Sequence, residues 1–169
     1  KLMTDTSIVE QRVEIVDRLL SYTRGIDRLN KDSVEDAFHP GAVLHNYGPD
    51  PMPIEDFISY ALPSLRNRYL ATQHRVSNIR VEINGDRARV ESYVLAYHLE
   101  AGTDSKLLHT FNGRYIDVFT RLDGCWKISK RSLRNDWSKV EEITEEMAGS
   151  SVWVSSARDE TDPIYDGLV

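Results

Sequence analysis

The sequence of 169 residues has one cysteine, Cys125, so no internal disulfide can staple the chain. No Cys/His cluster has the spacing of a zinc site, and no metal is expected. Long apolar runs are missing too. None approaches the roughly 18 residues that cross a bilayer, and the chain does not open on the charged, apolar and small-residue pattern of a secretory leader. A soluble, cytoplasmic protein is the expectation. Positive charge is in deficit, with 21 Lys and Arg against 27 Asp and Glu and a net charge of −6. That balance argues against nucleic acid or an anionic membrane surface as the main partner and leaves a small neutral or apolar ligand open. There is no G-x-G-x-x-G, no phosphate loop and no G-x-S-x-G elbow. Neither a nucleotide cofactor nor a serine-hydrolase mechanism is therefore expected. Internal repeats and low-complexity tracts are also lacking.

What the chain does have is helical periodicity followed by strand periodicity. Over residues 7–30, Val9, Val13, Val16, Leu20, Thr23 and Asp27 recur at steps of four and three, one row of an α-helix. Ile8, Ile15, Leu19, Tyr22 and Ile26 form a second row beside it. The first row is read as core-facing, and it ends on a carboxylate. A buried Asp27 must find a partner, change its pKa or do chemistry. Gly25, in the same turn, costs about 1 kcal/mol relative to alanine if helical, tolerable where close packing or a change of direction is needed. A short helix over 32–38 is stopped by His39-Pro40-Gly41, a strand follows over 42–47, and a second long helix over 53–69 is bent or divided at Pro63.

From His74 onward the pattern is β. Ile79, Val81 and Ile83 alternate up to Asn84-Gly85-Asp86, a strong hairpin signal. On the return strand, 87–99, alternation moves from Ala88 and Val90 to Tyr93, Leu95, Tyr97 and Leu99, which predicts a bulge on that strand. A long strand over 106–122 turns at Asp123-Gly124 into another over 125–137. An acidic helix-like piece over 141–147 and a polar tail containing Val152, Trp153, Ile164 and Tyr165 complete the chain. The class is α+β, helices covering one face of a curved antiparallel meander. Residues 1–140 are read as the domain and 141–169 as an extension packing on its own or a neighbouring subunit.

Two residues stand out chemically. Asp27 ends a helical row and His74 opens the first long strand; a histidine beside a carboxylate is a recurring general base. With 47 positions between them, spacing alone leaves a cap or salt bridge open for Asp27. His39, His45, His98 and His109 read as structural, the last two facing each other across a hairpin. Tyr22, five residues before Asp27, lies roughly 140° around the helix, on the flank of its row. Arg131 has opposite strand parity to Trp126 and Ile128 and faces away from them unless a bulge intervenes. Facing a pocket, its cation could stabilise a leaving oxyanion or a developing enolate.

The order of elements, with Tyr22-Thr-Arg-Gly-Ile-Asp27, Phe38-His-Pro-Gly-Ala42, Thr72-Gln-His74, Gly113-Arg-Tyr115-Ile-Asp117 and Asp123-Gly-Cys-Trp126-Lys-Ile128, resembles the SnoaL-like branch of the nuclear transport factor two-like superfamily. That branch includes scytalone dehydratase, bile acid dehydratase and hexachlorocyclohexane dehydrochlorinase. The resemblance implies a cone-shaped α+β barrel in which helices close a bent sheet around a deep apolar cavity. It also implies catalysis without a cofactor, His74 taking a proton and Asp27 orienting it, with Tyr22 and Arg131 steadying the leaving group. The substrate would be a small apolar aromatic or polycyclic molecule losing water, halide or formaldehyde. The further acid of bile acid dehydratase aligns with Ala96, and the base of the ketosteroid isomerases with Asn46, so neither of those routes is matched. A non-catalytic binding or assembly subunit and an isomerase or cyclase remain alternatives. Homodimers or homotrimers are expected from the same resemblance.

Overall fold

A computed structural model describes residues 7–167; positions 1–6 and 168–169, the ends of the two divisions above, lie outside the described residues. The chain runs α1 (Ile8–Arg28), α2 (Lys31–Asp36), β1 (Phe38–His45), β2 (Met52–Pro53), α3 (Ile54–Arg68), β3 (Tyr69–Asn84), β4 (Arg87–Ala101), β5 (Lys106–Leu122) and β6 (Cys125–Ile143). One curved, unclosed sheet has the order β2-β1-β6-β5-β4-β3. Its neighbours are antiparallel except for β1 and β6, which run parallel. The helices pack against this sheet, the cone-shaped α+β arrangement that the resemblance implies.

α1 starts on a capping box. The Ser7 hydroxyl accepts from the Glu10 amide while the Glu10 carboxylate accepts from that of Ser7. Its buried face is the second apolar row, Ile15, Leu19, Tyr22 and Ile26. The first row does not pack along its length: Val9 is 65% and Val13 55% exposed, Val16 is half-buried, and Thr23 and Asp27 are buried. The sheet meets α1 along the second row, and the first approaches β3 only at the helix's last turn. There a Cβ on Gly25 would sit 2.8 Å from Val34 Cγ2 and 2.9 Å from the Val34 nitrogen, so α2 crosses where only glycine fits.

Elsewhere the strands absorb what reads as punctuation. His39-Pro40-Gly41 lies inside β1, where pairing with β6 skips between Phe38 and Val43. Proline is accommodated there because the ladder is already interrupted. Pro63 does not divide α3, which is continuous from Ile54 to Arg68. Ala88, Val90, Val94 and Ala96 all stay buried, so β4 keeps its parity. The bulge is on β3, between Ser77 and Arg80, with Asn78 at φ 50°. Finally, the piece read as an acidic helix begins as strand: β6 continues to Ile143 because β5 offers partners down to Lys106. Phe119, Trp126 and Ile128 are fully buried in the core, each contributing about 1.5–3 kcal/mol.

Candidate active site

The Asp27 carboxylate, on the last turn of α1, is 9% exposed and reaches β3. Its Oδ1 accepts from the Thr72 hydroxyl at 3.0 Å and lies 2.7 Å from Nδ1 of His74. Its Oδ2 accepts the His74 backbone N–H at 2.8 Å. A carboxylate held by a hydroxyl and an amide can only accept, so the Nδ1 facing it carries a proton. In a neutral ring that leaves a lone pair on Nε2. His74 stands in the interior of β3, five positions past its start, and its ring lies between two spaces. One is a groove that Asp27 also lines; the other is an open cavity of about 340 Å³.

Aromatic side chains dominate that cavity, among them Tyr22, Tyr47, Phe57, Tyr69 and Tyr115. Burial pushes the phenols of Tyr47 and Tyr115 well above their usual range, with Tyr22 close by reinforcing the shift. Both therefore stay protonated and able to donate. His98 joins them, its ring centroid 5.1 Å from that of His74 at 86°, and 4.9 Å from Tyr69. Burial, with the neighbouring His74 adding to it, lowers the His98 pKa to about 4, so it is neutral at pH 7. Sequence reading treats His98 as structural, facing His109; the two do pair across β4 and β5. The missing signal is the β3 bulge. It sets His74 opposite Ala96 rather than Tyr97, which puts Ala96 and His98 on the face of His74.

Arg131 is wholly buried. Its guanidinium donates to both oxygens of Asp117, Nε at 2.7 Å and Nη2 at 2.8 Å, and lies 4.0 Å from the ring centroid of Tyr115 and 4.2 Å from that of Tyr22. Burial penalises both charges, and the carboxylate holds the guanidinium protonated against that penalty. The expected outward parity fails because β6 bulges at Ser129, where pairing with β5 skips from Ile128 to Lys130, so Trp126, Ile128 and Arg131 all point inward. Arg131 thus sits behind Tyr22 and Tyr115 instead of lining the cavity. Asp117, which sequence reading did not single out, is its partner.

The SnoaL-like domain family matches residues 7–132. This chain belongs to that family. No curated protein matches it significantly. Among solved structures it is similar to a candidate scytalone dehydratase from Novosphingobium aromaticivorans, at 25% identity and TM-score 0.69 over 83% of this chain and 95% of that one. A type 2 hexachlorocyclohexane dehydrochlorinase (LinA) shares 20% identity at TM-score 0.72, covering 86% and 99% of the two chains. The Kfla4162 protein of Kribbella flavida shares 22% at TM-score 0.70, over 79% and 95%. These last two likenesses establish the fold.

Two other histidines of this SnoaL-like domain are tied to partners other than Asp27. His39 Nε2 lies 2.9 Å from the Thr120 carbonyl, and His109 Nε2 lies 2.6 Å from Glu100, which also holds Arg68. Among the described residues no three His, Cys, Asp or Glu side chains come together as metal ligands. Among the described residues no helix is long and apolar enough to cross a membrane.

Proposed function

We propose that this SnoaL-like domain is a cofactor-independent lyase that eliminates water from a small aromatic or polycyclic alcohol. One observation carries the reading: the carboxylate of Asp27 fixes the imidazole of His74 at 2.7 Å while the ring faces an aromatic-lined cavity. A pocket protein without chemistry could give that carboxylate to an arginine. Here the nearest arginine of the C-terminal segment, Arg158, takes the Asp27 backbone carbonyl and leaves both carboxylate oxygens to Thr72 and His74. The similarity to a candidate scytalone dehydratase and to a dehydrochlorinase supports elimination as the reaction class.

In the proposed step Nε2 of His74 removes a proton from a substrate carbon. The C–H electron pair becomes the new C=C bond, and the C–O bond breaks with its pair going to oxygen. The proton held by His74 is then returned to that oxygen, giving water and restoring neutral imidazole. A neutral imidazole is a weak base and removes only an acidified proton, so the carbon should lie next to a carbonyl or an equivalent acceptor. Tyr22, with the protonated phenols of Tyr47 and Tyr115, donates hydrogen bonds to the oxygen that gains charge. Arg131, its own charge tied to Asp117, contributes from behind by holding the rings of Tyr22 and Tyr115 in place. The neutral ring of His98 can accept from or donate to the substrate. The exposed Val9 and Val13 face of α1 is offered as the contact of a homodimer or homotrimer, which sedimentation of a Val13→Glu variant tests.

The reading is tested by presenting metal-free protein with aromatic and polycyclic alcohols that carry a neighbouring carbonyl, and following absorbance for new conjugation. His74→Ala should lower kcat about 10²–10⁴-fold with the fold retained. Full turnover in that variant would overturn the assignment.

A further inference from the structure

Beyond β6 the chain returns to the closed end of α1, and its grip there is specific. Arg28 Nε pairs with Asp162 at 3.3 Å, Asn30 donates to the Tyr165 hydroxyl at 3.5 Å, and Arg24 stacks over the Tyr165 ring at 5.8 Å. Between these anchors and β6, Arg158 enters the space beneath Asp27. Its Nε donates to the Asp27 carbonyl at 3.1 Å, and its Nη1 donates to the carbonyls of Leu65 at 3.3 Å and Tyr69 at 2.9 Å. Its Nη2 donates to Oγ1 of Thr72 at 3.1 Å. One guanidinium therefore ties the ends of α1 and α3 to the start of β3.

We infer that Arg158 is a positioning residue that acts through Thr72 to hold the Asp27 carboxylate against Nδ1 of His74. A guanidinium has only donors, so the Thr72 oxygen must accept from it, and the one hydroxyl proton is left to point elsewhere. The acceptor in reach is Asp27 Oδ1, at 3.0 Å. Without Arg158 the hydroxyl is free to rotate toward backbone carbonyls. With it, a single rotamer serves the carboxylate. The same side chain fixes the backbone of Asp27 by its carbonyl, at a helix C-terminus where carbonyls lack intrahelical partners and a cation is favoured by the dipole. Burial pushes the Arg158 pKa down, and the Asp27 carboxylate opposes that, as expected for a cation placed to complement this acid. Arg158, Asp162 and Tyr165 all lie beyond the residues 7–132 that match the family, so this contribution belongs to the C-terminal segment of this chain. Its catalytic meaning rests on the lyase reading; the positioning itself does not.

The test uses the full chain without any ligand. The Nδ1 proton of His74, hydrogen-bonded to a carboxylate, gives a far-downfield proton NMR resonance, assigned by its loss in His74→Ala. Arg158→Met should move this resonance upfield or broaden it away, Arg158→Lys should restore part of the shift, and Thr72→Val should reproduce the change while leaving the carbonyl clamp in place. An unchanged resonance in Arg158→Met, with only a lowered thermal midpoint, makes Arg158 a structural clamp and overturns the inference. Should Arg158→Met fail to fold, Thr72→Val decides: an unchanged resonance there overturns it equally. Full turnover in His74→Ala would sink the lyase reading and leave a shifted resonance in Arg158→Met standing.

Discussion

Two carboxylates in this domain are taken out of water beside a nitrogen base, and they do opposite things with their partners. Asp117 and Arg131 are both 0% exposed, joined through two hydrogen bonds and sealed by aromatic rings. Asp27 and His74 are joined at a similar distance, but the imidazole keeps one edge toward a cavity and has a second nitrogen to spare. A guanidinium is a permanent cation, so its pair can only hold a shape. An imidazole can give up or take on a proton through its second nitrogen, so its pair can also move one. What distinguishes a site from a strut here is the partner's chemistry and its access to the cavity, since both carboxylates are buried.

That contrast can be broken by experiment. Asp27→Asn should lower turnover about 10²–10⁴-fold, since it removes the charge that stabilises the imidazolium. If it lowers stability but spares turnover, Asp27 is a strut as well. Arg131→Met should leave Asp117 buried and unpaired, costing about 3–5 kcal/mol in urea unfolding, and adding Asp117→Leu should recover most of it. Turnover lost with stability intact would move Arg131 into the chemistry. A smaller effect concerns His98. Its pKa is about 4 in the fold, against an ordinary value near 6.5, so between those values only the unfolded chain binds the proton. Stability present above pH 6.5 is lost as pH falls toward 4, by about 3 kcal/mol, and His98→Asn should flatten that slope. Least of all, Tyr22→Phe should cut turnover about tenfold and shift stability by about 1 kcal/mol, the scale of one hydroxyl hydrogen bond.

Much of this arrangement is legible in the sequence, and its limits have identifiable causes. Alternation and turn chemistry place the hairpins at Asn84-Gly85-Asp86 and Asp123-Gly124, because both are local. The expensive position of Asp27 is visible from helical periodicity, although the row leading to it is largely solvent-facing and the parallel row forms the core. Bulges are what periodicity cannot see. One residue skipped on β3 brings His98 to His74, and one skipped on β6 turns Arg131 inward to Asp117. Neither shift has a sequence signature as strong as a glycine in a turn. Arg158 was out of reach for another reason: the tail forms no long regular element, so its place beneath Asp27 is a purely tertiary fact.

The proposed chemistry depends on which nitrogen of His74 holds a proton at rest. Long-range proton–nitrogen NMR on histidine-labelled protein at neutral pH reads this directly, with His74→Ala for assignment. The account predicts a proton on Nδ1, facing Asp27, and an unprotonated Nε2 free to act as base. A proton on Nε2, leaving His74 without a lone pair for the cavity, would contradict it.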